Sequence, residues 1–248
     1  LAPCGFEAAD YDCKSWDEIR VPAHIQMEGY DSPQYANTQY PWDGREDVWT
    51  DEMPTKFNPV ASYVKYFTLP ESFLGERVFI SFQGAESGMA LWLNGAYVGY
   101  SEDSFTPSEF ELTPYLKEGE KKLAVQVCKW TIGSWCEEQD FVRFSGIFRS
   151  VYLYMIPKTH LCDIKIRPQV AENLSCGTLE LDLCSCGSGS VRMRLVERGR
   201  LDLAESRYET PEGTEVFALE EKIDGVLHVS REVADVKLWS AEKPYLYE

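Results

Sequence analysis

The stretch GMALWLNGAYVGYS, residues 88–101, carries the signal that decides the fold class. Apolar residues alternate with small or polar ones on both sides of Asn94-Gly95. This dipeptide accepts the positive φ angles that a two-residue hairpin turn requires. A period of two places every second side chain on one face, as in a sheet with one buried face. The stretch therefore predicts a β-hairpin.

The same alternation recurs along the chain. Clear strand patterns cover 62–70, 77–85 and 147–156, whereas helical periodicity is nearly absent. Turn signals interrupt these patterns about every eight to twelve residues, which is typical of an all-β sandwich or jelly roll. Residues 132–146 have no usable period, and we predict a long loop there.

The length of 248 residues favours two domains, because single hydrophobic cores stop growing near this size. We place the first domain at 1–157, where the strand pattern stops at Pro157-Lys158. Five short strand patterns follow, and they predict an immunoglobulin-like sandwich over 158–248. Because the chain closes on LWSAEKPYLYE without a polar tail, we expect this second domain to lack its last strand.

The charge of the chain limits its partners. Lys and Arg number 24 against 41 Asp and Glu, a formal net charge of −17. This negative field repels nucleic acid and anionic lipid headgroups alike. No run of about 18 apolar residues is present to span a bilayer. We therefore expect a soluble protein with neither nucleic acid nor membrane as its partner.

Eight cysteines and three histidines bear on compartment and metal binding. A signal-peptide pattern is absent, and a chain of this length does not need disulfides, so we expect free thiols and a cytoplasmic location. The close group C-S-C-G-S-G-S, residues 184–190, is interpreted as a surface turn. Half of a metal site is the alternative, although no second Cys-x-Cys, no Cys-x-x-Cys and no histidine set accompanies it.

Two stretches contain candidate binding residues. QYANTQYPWDG, residues 34–44, places Asn37 among aromatic residues. Amides and rings together suit a sugar, because hydroxyl groups need donors and acceptors while the C–H face of a pyranose stacks on a ring. The alternative is a structural loop whose aromatic side chains cover the core.

The second stretch is the acidic and aromatic loop 132–146. Its carboxylates Glu137, Glu138 and Asp140 provide a pair for glycoside hydrolysis or merely a solvated face. Asp140 alone suits a hard cation or a sugar hydroxyl, and an ion pair with Arg143 is an equally good explanation. Motifs for serine, zinc or nucleotide chemistry are absent from the chain.

Four long stretches, in this order, resemble the amino-terminal part of the large bacterial β-galactosidases of glycoside hydrolase family two. They are HIQMEGYDSPQYANTQYPW (24–42), LWLNGAYVGYSEDSFTPSEFELTPYLKEGEKKLAVQV (91–127), EEQDFVRFSGIFRSVYL (137–153) and LWSAEKPYLYE (238–248). The resemblance covers nearly the whole chain. It implies a jelly-roll, galactose-binding-like domain followed by an immunoglobulin-like domain.

The resemblance also implies that the catalytic groups lie in a different domain. In the family, a (β/α)₈ barrel that follows these domains supplies both catalytic glutamates and the ligands of the active-site magnesium. We therefore expect no catalytic residue and no bound cofactor in this chain alone, and no hydrolysis by it. Within a full-length enzyme the expected substrate is a terminal β-D-galactoside, the expected partner is the barrel of the same polypeptide, and the assembly is a homo-oligomer.

By the same resemblance, Asn37 of the Y-x-N-x-x-Y-P pattern contacts the galactoside. Asp140 of the E-x-Q-D pattern binds a sugar hydroxyl and a sodium ion. Three departures from the family pattern are Ala23-His24, Ile25 and Ile132, and the last puts a peripheral magnesium site in doubt. A free-standing carbohydrate-binding module is the alternative to an amino-terminal part of a retaining β-galactosidase.

Overall fold

The computed structural model describes residues 3–137, 140–202 and 207–248. The chain divides into two compact units, Leu1–Ile156 and Pro157–Glu248. Within the described ranges, no helix is both long enough and apolar enough to cross a membrane. Strands make up nearly all of the regular secondary structure in both units, so the predicted all-β fold class is confirmed.

The first unit consists of three antiparallel sheets. A four-stranded sheet has the order β2-β7-β4-β5, a three-stranded sheet the order β6-β3-β9, and β1 pairs with β8. One helix, α1 (Ser134–Glu137), and two 3₁₀ turns, Glu71–Phe73 and Thr113–Tyr115, complete the unit. The strands are β1 Gln34–Ala36, β2 Val60–Phe67, β3 Arg77–Phe82, β4 Gly88–Leu93, β5 Ala96–Ser101, β6 Ser108–Glu111, β7 Lys121–Cys128, β8 Phe141–Arg143 and β9 Val151–Ile156.

The predicted hairpin is confirmed. β4 and β5 pair directly on either side of the turn, where Asn94 has φ 53° and Gly95 has φ 85°. Asn94 also fixes the turn to its surroundings, because its Nδ2 donates to the Tyr115 carbonyl (3.1 Å) and its Oδ1 accepts from the Lys122 N–H (3.0 Å).

The inward side chains of the two larger sheets share one hydrophobic core. The alternation of the sequence places these side chains on the inner faces, which is the arrangement of a sandwich. The core residues come mainly from β3, β4 and β7, and they are Ile80, Phe82, Met89, Leu91, Leu93, Leu123, Val125 and Val127.

Two loop predictions in the first unit are wrong in part. Residues 34–36 of the predicted turn-rich loop form β1, and the predicted loop 132–146 contains α1 and β8. Strands of three residues are too short to show a period. Their pairing joins positions more than one hundred residues apart, since Gln34 lies opposite Arg143.

The second unit is one five-stranded sheet built around a long central strand. Its strands are β10 His160–Val170, β11 Cys176–Asp202, β12 Arg207–Tyr208, β13 Thr214–Ala234 and β14 Tyr245–Tyr247. β11 pairs along one edge with β13, and along the other with β10 and then β14.

The prediction of five short strands is therefore wrong in its boundaries. β11 and β13 each join two predicted strands, because the chain passes through a bulge without leaving the ladder. The register shifts between Cys184 and Ser188, where Gly187 takes a φ of 81°. The predicted surface turn at 184–190 is this bulge. In the described ranges, no group of three or more His, Cys, Asp or Glu residues is arranged to hold a metal ion.

Candidate functional site

The two predicted binding residues lie at the same end of a short β-ribbon. The ribbon pairs β1 with β8, and its last pair is Ala36 with Phe141. Asn37 follows Ala36 directly and Asp140 precedes Phe141 directly, so the register brings both residues to one point of the surface. Both residues are exposed. The structure thus joins two stretches that lie far apart in the sequence.

The carboxylate of Asp140 has a partner at this end of the ribbon. The Tyr35 hydroxyl donates a hydrogen bond to Asp140 Oδ1, and this hydrogen bond is the main cause that raises the pKa of Tyr35. Asp140 adopts a positive φ of 52°, a conformation that Asp tolerates better than most residues. In the described part of the chain, the Asn37 amide makes no hydrogen bond, so its donor and acceptor both face solvent.

A buried ion pair anchors the other end of the ribbon. Arg143 Nη1 lies 3.0 Å from Glu86 Oε1, and both side chains are 4% exposed or less. Arg143 Nη2 also donates to the backbone carbonyl of Glu137 at the end of α1. Burial raises the pKa of Glu86, and Arg143 partly opposes that rise. Arg143 was one predicted partner of Asp140, and the structure pairs it with Glu86 at the base of the ribbon.

A second buried contact fixes the chain that leaves β8. Gln26 Nε2 donates to Ser145 Oγ (2.8 Å), and the Ser145 N–H donates to Gln26 Oε1 (2.9 Å). Gln26 Nε2 also reaches Asp31 Oδ2, which accepts from Lys129 Nζ at 2.6 Å. Since a satisfied buried network is costly to distort, it holds the segment around Ser145 in one place.

The aromatic residues of loop 34–44 divide between two roles. Trp42 is 1% exposed and packs on Trp130, so this part of the loop covers the core, as the structural interpretation predicts. Tyr40 stacks on Trp42 at 5.3 Å and meets Trp135 of α1 at 4.4 Å. In contrast, Tyr35 is 58% exposed and lies beside the candidate residues.

The remaining sequence candidates do not complete a catalytic pair. Glu137 is exposed at the end of α1, and Glu138 lies outside the described residues. Ile132 is 44% exposed and offers no ligand atom for a peripheral metal. His24, one of the departures from the family pattern, stacks on Phe148 at 5.0 Å and meets Phe144 at 4.8 Å.

Sequence reasoning missed two supporting residues. Tyr35 is one aromatic residue among several in loop 34–44, although it lies only two positions before Asn37. The sequence gives no indication that Glu86 supports the site, because its partner Arg143 is 57 residues away and only the fold brings them together.

The residues at the ribbon end suit a sugar chemically. An amide donates and accepts, a carboxylate accepts from hydroxyl groups or binds a cation, and an exposed tyrosine ring offers a stacking surface. One carboxylate fits an oxygen-preferring cation but provides too few ligands for a complete shell. These groups can bind and orient a ligand.

Family models match almost every residue of the chain. The sugar binding domain of glycosyl hydrolases family 2 matches residues 2–157, and a second model of glycosyl hydrolases family 2 matches residues 159–248. The chain belongs to glycosyl hydrolase family 2, and the predicted family resemblance is confirmed.

Curated relatives with high similarity are β-galactosidases. The chain is 47% identical to one from Halalkalibacterium halodurans, covering 99% of this chain and 24% of the relative. It is 44% identical to one from Streptococcus thermophilus, covering 98% and 23%. A β-galactosidase large subunit from Lactobacillus helveticus is 39% identical, with 99% and 40% covered. The chain thus spans about a quarter of the length of the first two relatives.

Solved structures agree at the level of the fold. A β-glycosidase from Bacteroides vulgatus superimposes with a TM-score of 0.68 at 22% identity, covering 100% of this chain and 29% of that one. A β-glucuronidase from Bacteroides uniformis gives a TM-score of 0.69 at 20% identity, covering 100% and 28%. At this identity the likeness establishes the two-domain fold alone.

Proposed function

We propose that the chain is the amino-terminal part of a longer, retaining β-galactosidase that hydrolyses terminal β-D-galactosides. Asn37 and Asp140 contribute sugar contacts to an active site whose catalytic groups lie on a (β/α)₈ barrel beyond this chain. The observation that carries the proposal is that Asn37 directly follows β1 and Asp140 directly precedes β8, at the same end of the β1–β8 ribbon. Family membership and the β-galactosidase relatives supply the reaction class.

The roles of the two residues follow from their groups. The free amide of Asn37 donates to one sugar oxygen and accepts from a hydroxyl group. Asp140 Oδ1 is held by Tyr35, which fixes the orientation of the carboxylate and leaves Oδ2 for the ligand. Oriented contacts of this kind favour the reactive position of the sugar at the barrel.

A sodium ion belongs to the same proposal. Asp140 Oδ2 is one suitable ligand, and the sugar and the barrel supply the others, because no cluster of three ligating residues is present in the described ranges. The catalytic magnesium lies with the barrel.

In the full-length enzyme, Asp140→Asn should weaken the dependence of KM on sodium, whereas Asn37→Ala should retain it. An unchanged sodium response in Asp140→Asn would remove the ion from the proposal.

Calorimetric titration separates this proposal from a free-standing carbohydrate-binding module. Galactose and lactose are titrated into the 248-residue chain with and without sodium, and a chromogenic β-galactoside assay runs in parallel. We expect neither binding nor turnover, since most of the pocket lies outside the chain. Millimolar or tighter binding that disappears in Asp140→Ala would instead support the module.

We further propose a cytoplasmic, homo-oligomeric enzyme. The homo-oligomeric assembly is what the family resemblance implies. Size-exclusion chromatography of the full-length protein tests the assembly, and a monomer would contradict it.

A further inference from the structure

An exposed tryptophan lies in a turn at the tip of a surface loop that precedes β2. The loop covers residues 45–57, and the turn, residues 49–52, is its tip. In this turn the Glu52 N–H donates to the Trp49 carbonyl (3.0 Å). Trp49 is 79% exposed, which is the highest value among the large apolar side chains of the described ranges.

The base of this loop is closed by one carboxylate. Glu46 accepts hydrogen bonds from the N–H groups of Thr55 (3.0 Å), Lys56 (2.9 Å) and Phe57 (2.8 Å). The Arg45 guanidinium lies over the Phe57 ring, 4.3 Å from its centroid. Since these contacts bring its two ends together, the segment is a compact surface loop of the kind that often has a function.

A further contact fixes the loop tip beside the segment of the candidate sugar site. Trp135 Nε1 in α1 donates to the Glu52 carbonyl at 2.6 Å, and the Trp135 ring lies 4.4 Å from the ring of Tyr40. Tyr40 follows Asn37 by three residues, so their Cα atoms are at most about 11 Å apart. Tyr40 and Trp135 therefore connect the loop tip to the segment that contains Asn37.

The groups at the loop tip suit a sugar ring. Within the part of the chain that the structure describes, Trp49 makes no ring contact, and the side chains of Thr50 and Asp51 make no hydrogen bond. An indole face, a hydroxyl group and a carboxylate are thus open to a ligand. The indole face can stack on the C–H face of a pyranose, and the two polar groups can bind its hydroxyl groups.

We propose that Trp49 is a specificity-determining residue that binds the sugar attached to the terminal galactose of the substrate. The inference rests on the proposed function, in which Asn37 and Asp140 hold the galactose unit. The second sugar unit of a disaccharide then stacks on Trp49. A galactoside with a small leaving group lacks this contact.

A contact with the barrel is the other use for an exposed tryptophan. The neighbours of Trp49 argue against it, because Asp47, Asp51 and Glu52 are all exposed around the ring. Charged residues are depleted in the cores of protein interfaces. The acidic surroundings therefore favour a hydroxyl-rich ligand over an apolar protein surface.

Two substrates distinguish these uses in the longer enzyme. Lactose has a sugar as its leaving group, whereas methyl β-D-galactoside releases only methanol. Trp49→Ala should lower the ratio of kcat/KM for lactose to kcat/KM for methyl β-D-galactoside about 5- to 10-fold, the loss expected for one aromatic stacking contact. Trp49→Phe retains a ring and should recover most of this ratio. Leu74→Ala, a change at another exposed apolar side chain of the first unit (68%), is the matched control and should keep the wild-type ratio.

The outcomes separate this inference from the proposed function. An equal fall of both kcat/KM values in Trp49→Ala would overturn the inference and identify Trp49 as a contact of the barrel, and a wild-type ratio with wild-type values would overturn it as well. Asp140→Ala should lower both values alike, because both substrates contain the galactose. Wild-type values in Asp140→Ala, beside the expected loss in Trp49→Ala, would contradict the role of Asp140 alone. Failure of the wild-type enzyme to hydrolyse either substrate would overturn the proposed function together with the inference.

Discussion

At the residue scale, the ammonium group of Lys122 is bound by backbone carbonyl groups. Its side chain is buried, and Nζ donates to the carbonyls of Phe6 (2.8 Å), Ala8 (2.6 Å) and Tyr11 (2.6 Å). A single side chain from β7 thereby holds the first turns of the chain. Charge-assisted hydrogen bonds of this kind are among the strong ones in proteins.

We predict that Lys122→Met lowers the free energy of unfolding by about 3 kcal/mol, because it removes these hydrogen bonds and leaves carbonyls without a donor. Urea denaturation measures the loss. Lys121→Met is the matched control, since the neighbouring buried ammonium donates to the Gly119 carbonyl and its loss should cost about 1 kcal/mol. Equal losses in the two variants would contradict the special role of Lys122.

The carboxylate of Glu46 makes the stability of the fold depend on pH. Its carboxylate accepts the N–H groups of Phe57, Lys56 and Thr55, and these bonds, with Phe57 first, lower its pKa from 4.5 to about 2. The folded state thus prefers the ionised form. The contribution to stability is complete above pH 4.5 and is lost as the pH falls toward 2.

The corresponding prediction concerns how steeply the Tm falls as the pH is lowered. The Tm of Glu46→Gln should fall less steeply than that of the wild type between pH 4.5 and 2, because the variant has no carboxylate to protonate at this position. Glu118→Gln, a change at an exposed turn, should follow the wild-type curve. Parallel curves for Glu46→Gln and the wild type would show that the carboxylate makes no such contribution.

At the scale of elements, the β1–β8 ribbon depends on its anchor. Two strands of three residues are marginal by themselves. The Glu86–Arg143 ion pair joins β8 to the buried segment that precedes β4, and Arg143 also holds the end of α1. Because the pair lies at the base of the ribbon, the positions of Asn37 and Asp140 depend on it.

Removing only one partner of this ion pair should strongly destabilise the fold. Glu86→Ala leaves a buried guanidinium without its carboxylate, and we expect a loss of about 3–5 kcal/mol in the free energy of unfolding. The double variant Glu86→Leu with Arg143→Met should be more stable than Glu86→Ala, since neither charge of the pair remains. Urea denaturation of both variants tests this. A double variant that is less stable than Glu86→Ala would contradict the explanation.

Elements also show how far the sequence predicts the structure. The hairpin at 88–101 was predictable, because its alternation and its Asn-Gly turn are local signals. β1 and β8 were not, since three residues carry no period and their pairing is long-range. The length of β11 was missed because Gly187 and the serines around it indicate a turn equally well when they form a bulge.

The candidate site was predictable only in part, and for a similar reason. The family pattern predicts Asn37 and Asp140, and the fold places them beside the last residue pair of two adjoining strands. The hydrogen bond from Tyr35 and the burial of Glu86 arise from packing, which no spacing in the sequence expresses.

At the scale of the whole molecule, our proposal makes the chain a contributor of sugar contacts to a longer enzyme. Both of its units match glycosyl hydrolase family 2, and the first two β-galactosidase relatives are about four times as long, since the chain covers 24% and 23% of them. In our proposal the ribbon end becomes a functional pocket only beside the barrel.

The most direct test of the central claim is a double-mutant cycle in the longer enzyme that contains this chain. We would measure kcat/KM for a chromogenic β-galactoside in Asn37→Ala, Asp140→Ala, their combination and the exposed control Thr38→Ala. The account predicts that Asp140→Ala lowers kcat/KM about 10- to 100-fold and Asn37→Ala about 5-fold, with non-additive effects because both residues hold one sugar. Wild-type values of kcat/KM in all four variants would contradict it.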